Sequence, residues 1–329
     1  MKGPKNKRER RYVAMKSVSI VLTFVTVYTA YVYIGRLSYS YVYQQVSKVK
    51  GGAFIGVSVL ELLIVLVCFV RICVEGPGLL DRKWTDFEKP YAGNGYDVDA
   101  PDAFICEQDG RPRWCHVCMK HKPDRAHHSS EIGKCVLKMD HYCQYLGKVI
   151  GYANYRFFWV MLLHAVILLL FWIITTGYYL AAQVRDGIVE GFIISSLAIE
   201  VLVLLGAAGL FVQHCYMISV NKTTIEYMSP NYQYFINLKM DDEFNSRVVV
   251  FTEPGGNPWT IGLLNNWKAV FGSNPLNYVL PISRPSDDGM HFAYNQELLN
   301  QLKSNYLQSV QQPPWVTTTP NDPAQPTTT

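Results

Sequence analysis

The residues best suited to chemistry lie in the run Asp140-His141-Tyr142-Cys143. A cysteine reacts as its thiolate, and a neighbouring imidazolium lowers the pKa of a thiol. Asp140 could accept a hydrogen bond from the other ring nitrogen of His141 and so fix its tautomer. Cys143 also lies shortly before a long apolar segment, near the membrane surface, where a thiolate suits thioester exchange with a lipid-borne acyl group. The run therefore predicts a nucleophilic cysteine, which we favour over a further metal ligand at Cys143.

A second group of residues precedes this run and has the spacing of a metal site. Cys115 and Cys118 form a C-x2-C pair, a spacing that lets two thiolates bind one zinc ion from a tight turn. His128 and Cys135 follow closely and could complete a closed Cys3His site. Free thiols are the alternative, but four candidate ligands in so short a stretch favour zinc. A reducing cytosol would also favour a metal over disulfides.

Four apolar segments must position these residues, and they cover residues 17–36, 52–72, 157–180 and 191–213. Each can cross a hydrocarbon core of ~30 Å at ~1.5 Å per residue, and backbone polar groups in lipid are satisfied by helices. Buried helices of a soluble protein are the alternative, but such helices rarely run so long without a polar face. We expect an all-α polytopic membrane protein, with a cytosolic zinc-binding cysteine-rich domain between the second and third transmembrane helices.

Basic residues near the helix ends predict the orientation of these segments. Lys and Arg are frequent before the first segment and after the second, and they are rare in the other two loops. This bias places both termini and residues 71–156 in the cytosol. The net charge of +4 is explained by topology and anionic lipid, so we expect no nucleic-acid partner. The predicted polar regions are a basic cytosolic N-terminus (1–16), the cysteine-rich domain (113–163), a cytosolic C-terminal region (217–310) and a disordered Pro/Thr-rich tail (311–329).

The stretch from Cys115 to Phe158 resembles the cysteine-rich domain of the Asp-His-His-Cys protein S-acyltransferases, often called palmitoyltransferases. With Tyr142 in place of the second His, it is similar to a fungal Asp-His-Tyr-Cys branch. The resemblance covers roughly residues 15–275. It is carried by the C-x2-C pair, Lys122-Pro123-Asp124-Arg125, Cys135-Val136-Leu137-Lys138-Met139-Asp140-His141, Asn154-Tyr155 with Phe157-Phe158, Pro77-Gly78, Thr223-Thr224-Ile225-Glu226, Asn257-Pro258-Trp259 and Asn266-Trp267.

The resemblance implies a two-step transfer in which Cys143 takes a long-chain acyl group from acyl-CoA and passes it to a cysteine of a target protein. His141 would be the base and proton carrier, and Asp140 would orient it. Lys122 and Arg125 are expected to contact the acyl-CoA phosphates. Structural support for the active-site loop is expected from Thr223, Thr224, Glu226 and Asn266. The implied partners are acyl-CoA, membrane-associated proteins with cytosolic cysteines, and the bilayer of an endomembrane, a vacuole or the plasma membrane.

This chain departs from the family pattern at its second zinc site. The family binds two zinc ions, and only the first set of ligands is present here, at Cys115, Cys118, His128 and Cys135. The second set maps onto Ser129, Ile132, Tyr142 and Val149. We therefore expect one structural zinc ion, with packing and hydrogen bonds replacing the other and with Ile132, Tyr142 and Val149 in the core. A non-catalytic, membrane-anchored zinc module that binds partners is the alternative, and the intact Asp140, His141 and Cys143 argue against it.

Overall fold

The computed structural model describes residues 7–80, 101–188, 190–240, 246–283, 285 and 287–311. The predicted tail lies outside these residues from position 312 onward. The helices are α1 (Lys7–Ala30), which continues as a π-helical segment (Tyr31–Val46), α2 (Lys48–Glu75), α3 (Tyr155–Arg185), α4 (Gly191–Ser219), α5 (Thr224–Tyr227), α6 (Leu263–Phe271), a 3-10 turn (Pro275–Tyr278) and α7 (Gln296–Gln311).

Four helical stretches are long and apolar enough to cross a membrane, as predicted. They are Val18–Val46, Lys48–Glu75, Tyr155–Arg185 and Gly191–Ser219. Among them, α3 packs against both α2 and α4. The carboxylates inside these stretches have partners: Glu61 lies 2.7 Å from Nδ1 of His164, and Glu200 accepts a 2.8 Å hydrogen bond from Ser196. Such pairing is what a carboxylate at membrane depth requires.

The prediction of an all-α protein is wrong, because the polar regions contain β-structure. The strands are β1 (Ala103–Cys106), β2 (Trp114–Cys115), β3 (Lys120–His121), β4 (His127–Ser129), β5 (Lys134–Val136), β6 (His141–Cys143), β7 (Lys148–Ile150), β8 (Phe235–Lys239) and β9 (Arg247–Phe251). Most have only two or three residues, too few for an alternating pattern to be recognised in the sequence. Three hairpins, β2-β3, β4-β5 and β6-β7, form the cysteine-rich domain, and an antiparallel sheet of order β1-β8-β9 lies beside them.

The cysteine-rich domain is joined to the helix bundle through the segment that follows α2. The carbonyl of Gly78 accepts a 2.9 Å hydrogen bond from the backbone N–H of Leu137. Gly78 has φ of 82°, and a Cβ built on Gly151 would lie 2.6 Å from the carbonyl oxygen of Pro77. Both positions therefore favour glycine. This close approach brings the strand that holds Cys143 to the ends of α2 and α3.

Candidate functional site

Strand β6 determines which way the residues of the reactive run face. It pairs antiparallel with β7, so that His141 lies opposite Ile150 and Cys143 opposite Lys148. Gly147, with φ of 63°, closes the turn between the two strands. Successive side chains of a strand point to opposite faces. His141 and Cys143 therefore share one face, and Tyr142 points to the other.

His141 is held by the carboxylate of Asp140, which is buried. Nδ1 of His141 lies 2.6 Å from Oδ2 of Asp140. Thr224, at the start of α5, donates to the same carboxylate through its backbone N–H (3.0 Å to Oδ1) and its hydroxyl (2.7 Å to Oδ2). With Nδ1 engaged, Nε2 is the ring nitrogen left for the thiol of Cys143. The three donors fix the position of Asp140, and Asp140 fixes the ring.

The charges of this pair follow from burial and hydrogen bonding. Burial alone lowers the pKa of His141, but hydrogen bonds with Asp140 and Cys143 outweigh it and raise that pKa to about 9. Burial raises the pKa of Asp140, but the hydrogen bond and charge of His141, with the Thr224 hydroxyl, bring it below its ordinary value. At neutral pH the pair is therefore a carboxylate and an imidazolium. The imidazolium holds a proton that can be given to a leaving group at the neighbouring thiol.

The thiol of Cys143 lies where the bundle meets the cysteine-rich domain. It is 5% exposed and belongs to an apolar cluster with Ile72 of α2, Ile150 of β7, and Phe157 and Phe158 of α3. A nucleophile in such surroundings can receive an apolar substrate from the membrane side. The surrounding apolar side chains also exclude water, which would otherwise compete for a thioester.

Tyr142 and Val149 lie at positions where the resemblance leads us to expect packing in place of a second zinc ion. Tyr142 packs against a cluster that contains Val149, its opposite residue in β7, with Val136 and Met139. Ser129 is buried and donates a 2.9 Å hydrogen bond to Glu131. These contacts agree with the expectation of packing and hydrogen bonds at three of the four positions.

Ile132 departs from that expectation, because it is 40% exposed and the prediction of a core position is wrong for it. It lies in the turn between β4 and β5, whose other end is closed by Gly133. A residue at the tip of a two-stranded hairpin has no neighbouring layer to pack against.

The four predicted zinc ligands converge. The ligand atoms of Cys115, Cys118, His128 and Cys135 all lie within 4.8 Å of one another. Nδ1 of His128 is 3.6 Å from Sγ of Cys115 and 3.3 Å from Sγ of Cys118. Tetrahedral zinc with Zn–S of about 2.3 Å and Zn–N of about 2.0 Å places such atoms roughly 3.5 Å apart. The donor set and its dimensions therefore fit zinc.

Arg125 requires a correction, because its position does not suit the predicted contact with acyl-CoA phosphates. It is 2% exposed, and its Nε and Nη2 donate to the two carboxylate oxygens of Glu226 at 2.8 and 2.7 Å. Nη1 donates to Asn221 at 2.9 Å. The guanidinium thus joins the cysteine-rich domain to the segment after α4. Lys122 lines a cavity of about 470 Å³ beside β1 and α7, and that lining contains none of Asp140, His141 and Cys143.

The supporting residues after α4 form a connected frame. Thr223 caps α5 by accepting from the backbone N–H of Glu226, and the Glu226 carboxylate accepts from the N–H of Thr223 in return. This reciprocal capping box places Thr224 against Asp140. Asn266 of α6 donates to the carbonyl of Ser219 at 2.7 Å and so ties α6 to the end of α4.

His214 is a residue of the site that sequence reasoning missed. It lies buried near the end of α4, with its ring centroid 5.8 Å from that of His141 and 5.0 Å from that of Phe158. Its Nδ1 lies 3.0 Å from the hydroxyl of Tyr155. The signal that could have found it is an imidazole directly after the predicted span 191–213, shortly before the Thr-Thr-x-Glu motif.

The sequence is similar to a family model and to relatives that are described as palmitoyltransferases. A family model described as DHHC palmitoyltransferase matches residues 108–231. Palmitoyltransferase PFA3 of Candida albicans is 30% identical over an alignment of 275 residues that covers 71% of this chain and 72% of that protein. Palmitoyltransferase PFA5 of Eremothecium gossypii is 29% identical over 317 residues, covering 85% and 88% respectively. Human palmitoyltransferase ZDHHC20 is 30% identical over 185 residues, covering 55% and 46%.

Proposed function

The chain belongs to the DHHC palmitoyltransferase family, and from this premise we propose that Cys143 carries the acyl group during protein S-palmitoyl transfer. The activity is that of a protein S-acyltransferase. The observation that supports the assignment of the nucleophile is the unbroken series Thr224, Asp140, His141 and Cys143. In it a buried, doubly supported carboxylate holds a cationic imidazole against the thiol.

The first step transfers the acyl group from acyl-CoA to the enzyme. The Cys143 thiolate attacks the thioester carbonyl, a new C–S bond forms, and the C–S bond to coenzyme A breaks. The leaving thiolate of coenzyme A takes the proton from Nε2 of His141. Asp140 keeps Nδ1 protonated throughout and stabilises the charged ring.

The second step transfers the acyl group to the target. Neutral Nε2 of His141 accepts the proton of the incoming cysteine thiol, and the resulting thiolate attacks the acyl-Cys143 thioester. The Cys143 thiolate leaves and again pairs with the imidazolium. The two steps thus return the site to its starting state without any other proton carrier.

The cysteine-rich domain would hold one zinc ion at Cys115, Cys118, His128 and Cys135. Bound there, zinc supplies folding free energy and no part of the acyl chemistry. The hairpin β4-β5, which carries His128 and Cys135, would then be fixed to the knuckle between β2 and β3. Tyr142 and Val149 replace the second ion with apolar packing.

The proposed partners follow from the position of Cys143 at the ends of α2 and α3. Acyl-CoA would place its chain among the membrane-spanning helices and its polar part in water. Protein substrates would be membrane-associated, with cysteines on the side of the cysteine-rich domain. The excess of Lys and Arg in the regions before the first span and after the second supports a cytosolic location for that side and for both termini.

The test is release of coenzyme A from palmitoyl-CoA by the purified full-length protein. We expect Cys143→Ala to abolish release and Cys106→Ala to leave it intact, because Cys106 is a buried thiol in β1, outside the site. A partner-binding module without catalysis predicts no release from the wild type. Release by Cys143→Ala at the wild-type rate would show that another group is the nucleophile.

A further inference from the structure

Two arginines meet at the end of the bundle that carries the cysteine-rich domain. Arg71 lies near the end of α2, and Arg156 is the second residue of α3. Their guanidinium carbons lie 4.6 and 5.3 Å from the centroid of the same ring, that of Phe157. Arg71 has an acidic partner, Glu75, at 3.1 Å. Two positive charges thus approach each other, and Glu75 forms an ion pair with one of them.

Arg156 is unusual because it is buried and its charge is not matched. The residue is 3% exposed, and its Nε and Nη2 are buried without a hydrogen-bond partner in the part of the chain that the structure describes. Nε of Arg71 is likewise buried without a hydrogen-bond partner among the described residues. A buried charge is costly unless it is paired and hydrogen-bonded. The arrangement therefore points to an anion as the missing partner.

The cavity beside Arg156 has room and chemistry for such an anion. It measures about 250 Å³, and its lining includes Lys268, exposed at the rim, together with the polar residues Asn274 and Ser283. Asp287 also lines this cavity, but it is engaged in an interaction of its own. The first turn of α3 contains no acidic residue. The partial positive charge at the N-terminus of α3 is therefore not offset by a carboxylate in that turn, and it adds to the positive potential of the site.

A phosphate ester matches these donors best, since guanidinium groups bind phosphate oxygens in pairs. Phospholipids and acyl-CoA both supply phosphate esters. Both arginines lie at ends of membrane-spanning helices, which is the depth of lipid phosphates. The lining of this cavity contains none of Asp140, His141 and Cys143, whereas a smaller cavity that Arg156 also lines includes Asp140. We propose that Arg156, together with Arg71, binds the phosphate group of an anionic phospholipid.

Native mass spectrometry of the purified full-length protein with dioleoyl phosphatidic acid tests this site. We expect Arg156→Gln to reduce lipid occupancy about tenfold or more, because charge-assisted hydrogen bonds are lost. Arg71→Gln should weaken binding less, since Arg71 keeps Glu75 as its main partner. Arg185→Gln is the matched control: it removes an exposed arginine from the other end of the same helix and should leave occupancy unchanged. Diacylglycerol, which lacks phosphate, should not bind this site.

Each other outcome has a defined meaning. Equal occupancy in wild type and Arg156→Gln, or an equal loss in Arg185→Gln, would overturn the proposal. Displacement of the lipid from the wild type by free coenzyme A would assign the phosphate to acyl-CoA and overturn the lipid source. If Arg156→Gln does not fold, Arg156→Lys decides, because it keeps the positive charge. This variant should retain measurable binding, and failure to bind while folded and zinc-loaded would overturn the proposal.

Discussion

Replacing Thr224 with Val tests whether the carboxylate of Asp140 positions the catalytic imidazole. The two side chains are nearly isosteric, so the change removes the hydroxyl and little else. The hydroxyl donates to Oδ2 of Asp140 at 2.7 Å, the same oxygen that meets Nδ1 of His141. The backbone N–H of residue 224 still donates to Oδ1 at 3.0 Å. The variant therefore loosens the carboxylate without removing it from the site.

The size of the effect follows from this one bond. A hydrogen bond to a charged group contributes about 1.5–3 kcal/mol. Because each 1.36 kcal/mol changes a rate tenfold, full loss of that contribution in the transition state would slow acyl-enzyme formation about 10- to 150-fold. Asp140 is only 2% exposed, so we expect a decrease within this range. Thr26→Val is the matched control, since that hydroxyl donates only to Leu22 of its own helix.

The pH dependence separates positioning from a structural defect. The Thr224 hydroxyl helps to lower the pKa of Asp140, so its removal raises that pKa toward the ordinary value. The acid limb of the pH–rate profile, where Asp140 becomes protonated, should therefore move to higher pH. The measurement is single-turnover acylation by palmitoyl-CoA across pH. A rate within twofold of wild type, or a slower rate with an unmoved acid limb, would refute the positioning role.

Three other predictions follow from the site and its frame. Elemental analysis should find one zinc ion per chain, and two would contradict the replacement of the second site by packing. Glu226→Gln should lower the melting temperature by roughly 6–12 °C, since breaking the buried ion pair with Arg125 costs about 3 kcal/mol or more. Glu107 is exposed, so Glu107→Gln should leave the melting temperature unchanged. Equal melting temperatures for the two variants would contradict the pairing of Glu226 with Arg125. Because the pKa of His141 is raised from 6.5 to about 9, protonated His141 stabilises the fold fully below pH 6.5, and that stabilisation is lost as pH rises through about 9. The melting-temperature difference between wild type and His141→Gln should shrink over this range, and a constant difference would contradict the raised pKa.

The spans and the reactive run could be predicted because each depends on residues close together in sequence. The length of an apolar segment predicts a membrane helix directly. Asp140, His141 and Cys143 are separated by one or two positions, so their proximity needs no knowledge of the fold. The same holds for the zinc ligands, which lie close together in the sequence and begin with a C-x2-C pair.

Contacts between distant parts of the chain could not be predicted. Arg125 pairs with Glu226, which is 101 positions away, so the sequence around Arg125 does not indicate that its partner is a carboxylate of the protein. Asp140 accepts a hydrogen bond from Thr224, which is 84 positions away in the sequence. His214 reaches His141 only because α4 packs against α3. Ile132 looked like a core residue, and its place at a hairpin tip depends on a strand pairing too short to recognise.

The central claim is that the acyl group is carried by Cys143. The most direct measurement is mass spectrometry of peptides from the full-length enzyme quenched during turnover with palmitoyl-CoA, with and without hydroxylamine, which cleaves thioesters. We predict a palmitoyl group on the peptide containing Cys143, removed by hydroxylamine and absent from Cys143→Ala. Full labelling of another cysteine in the Cys143→Ala variant, with coenzyme A still released at the wild-type rate, would contradict the account.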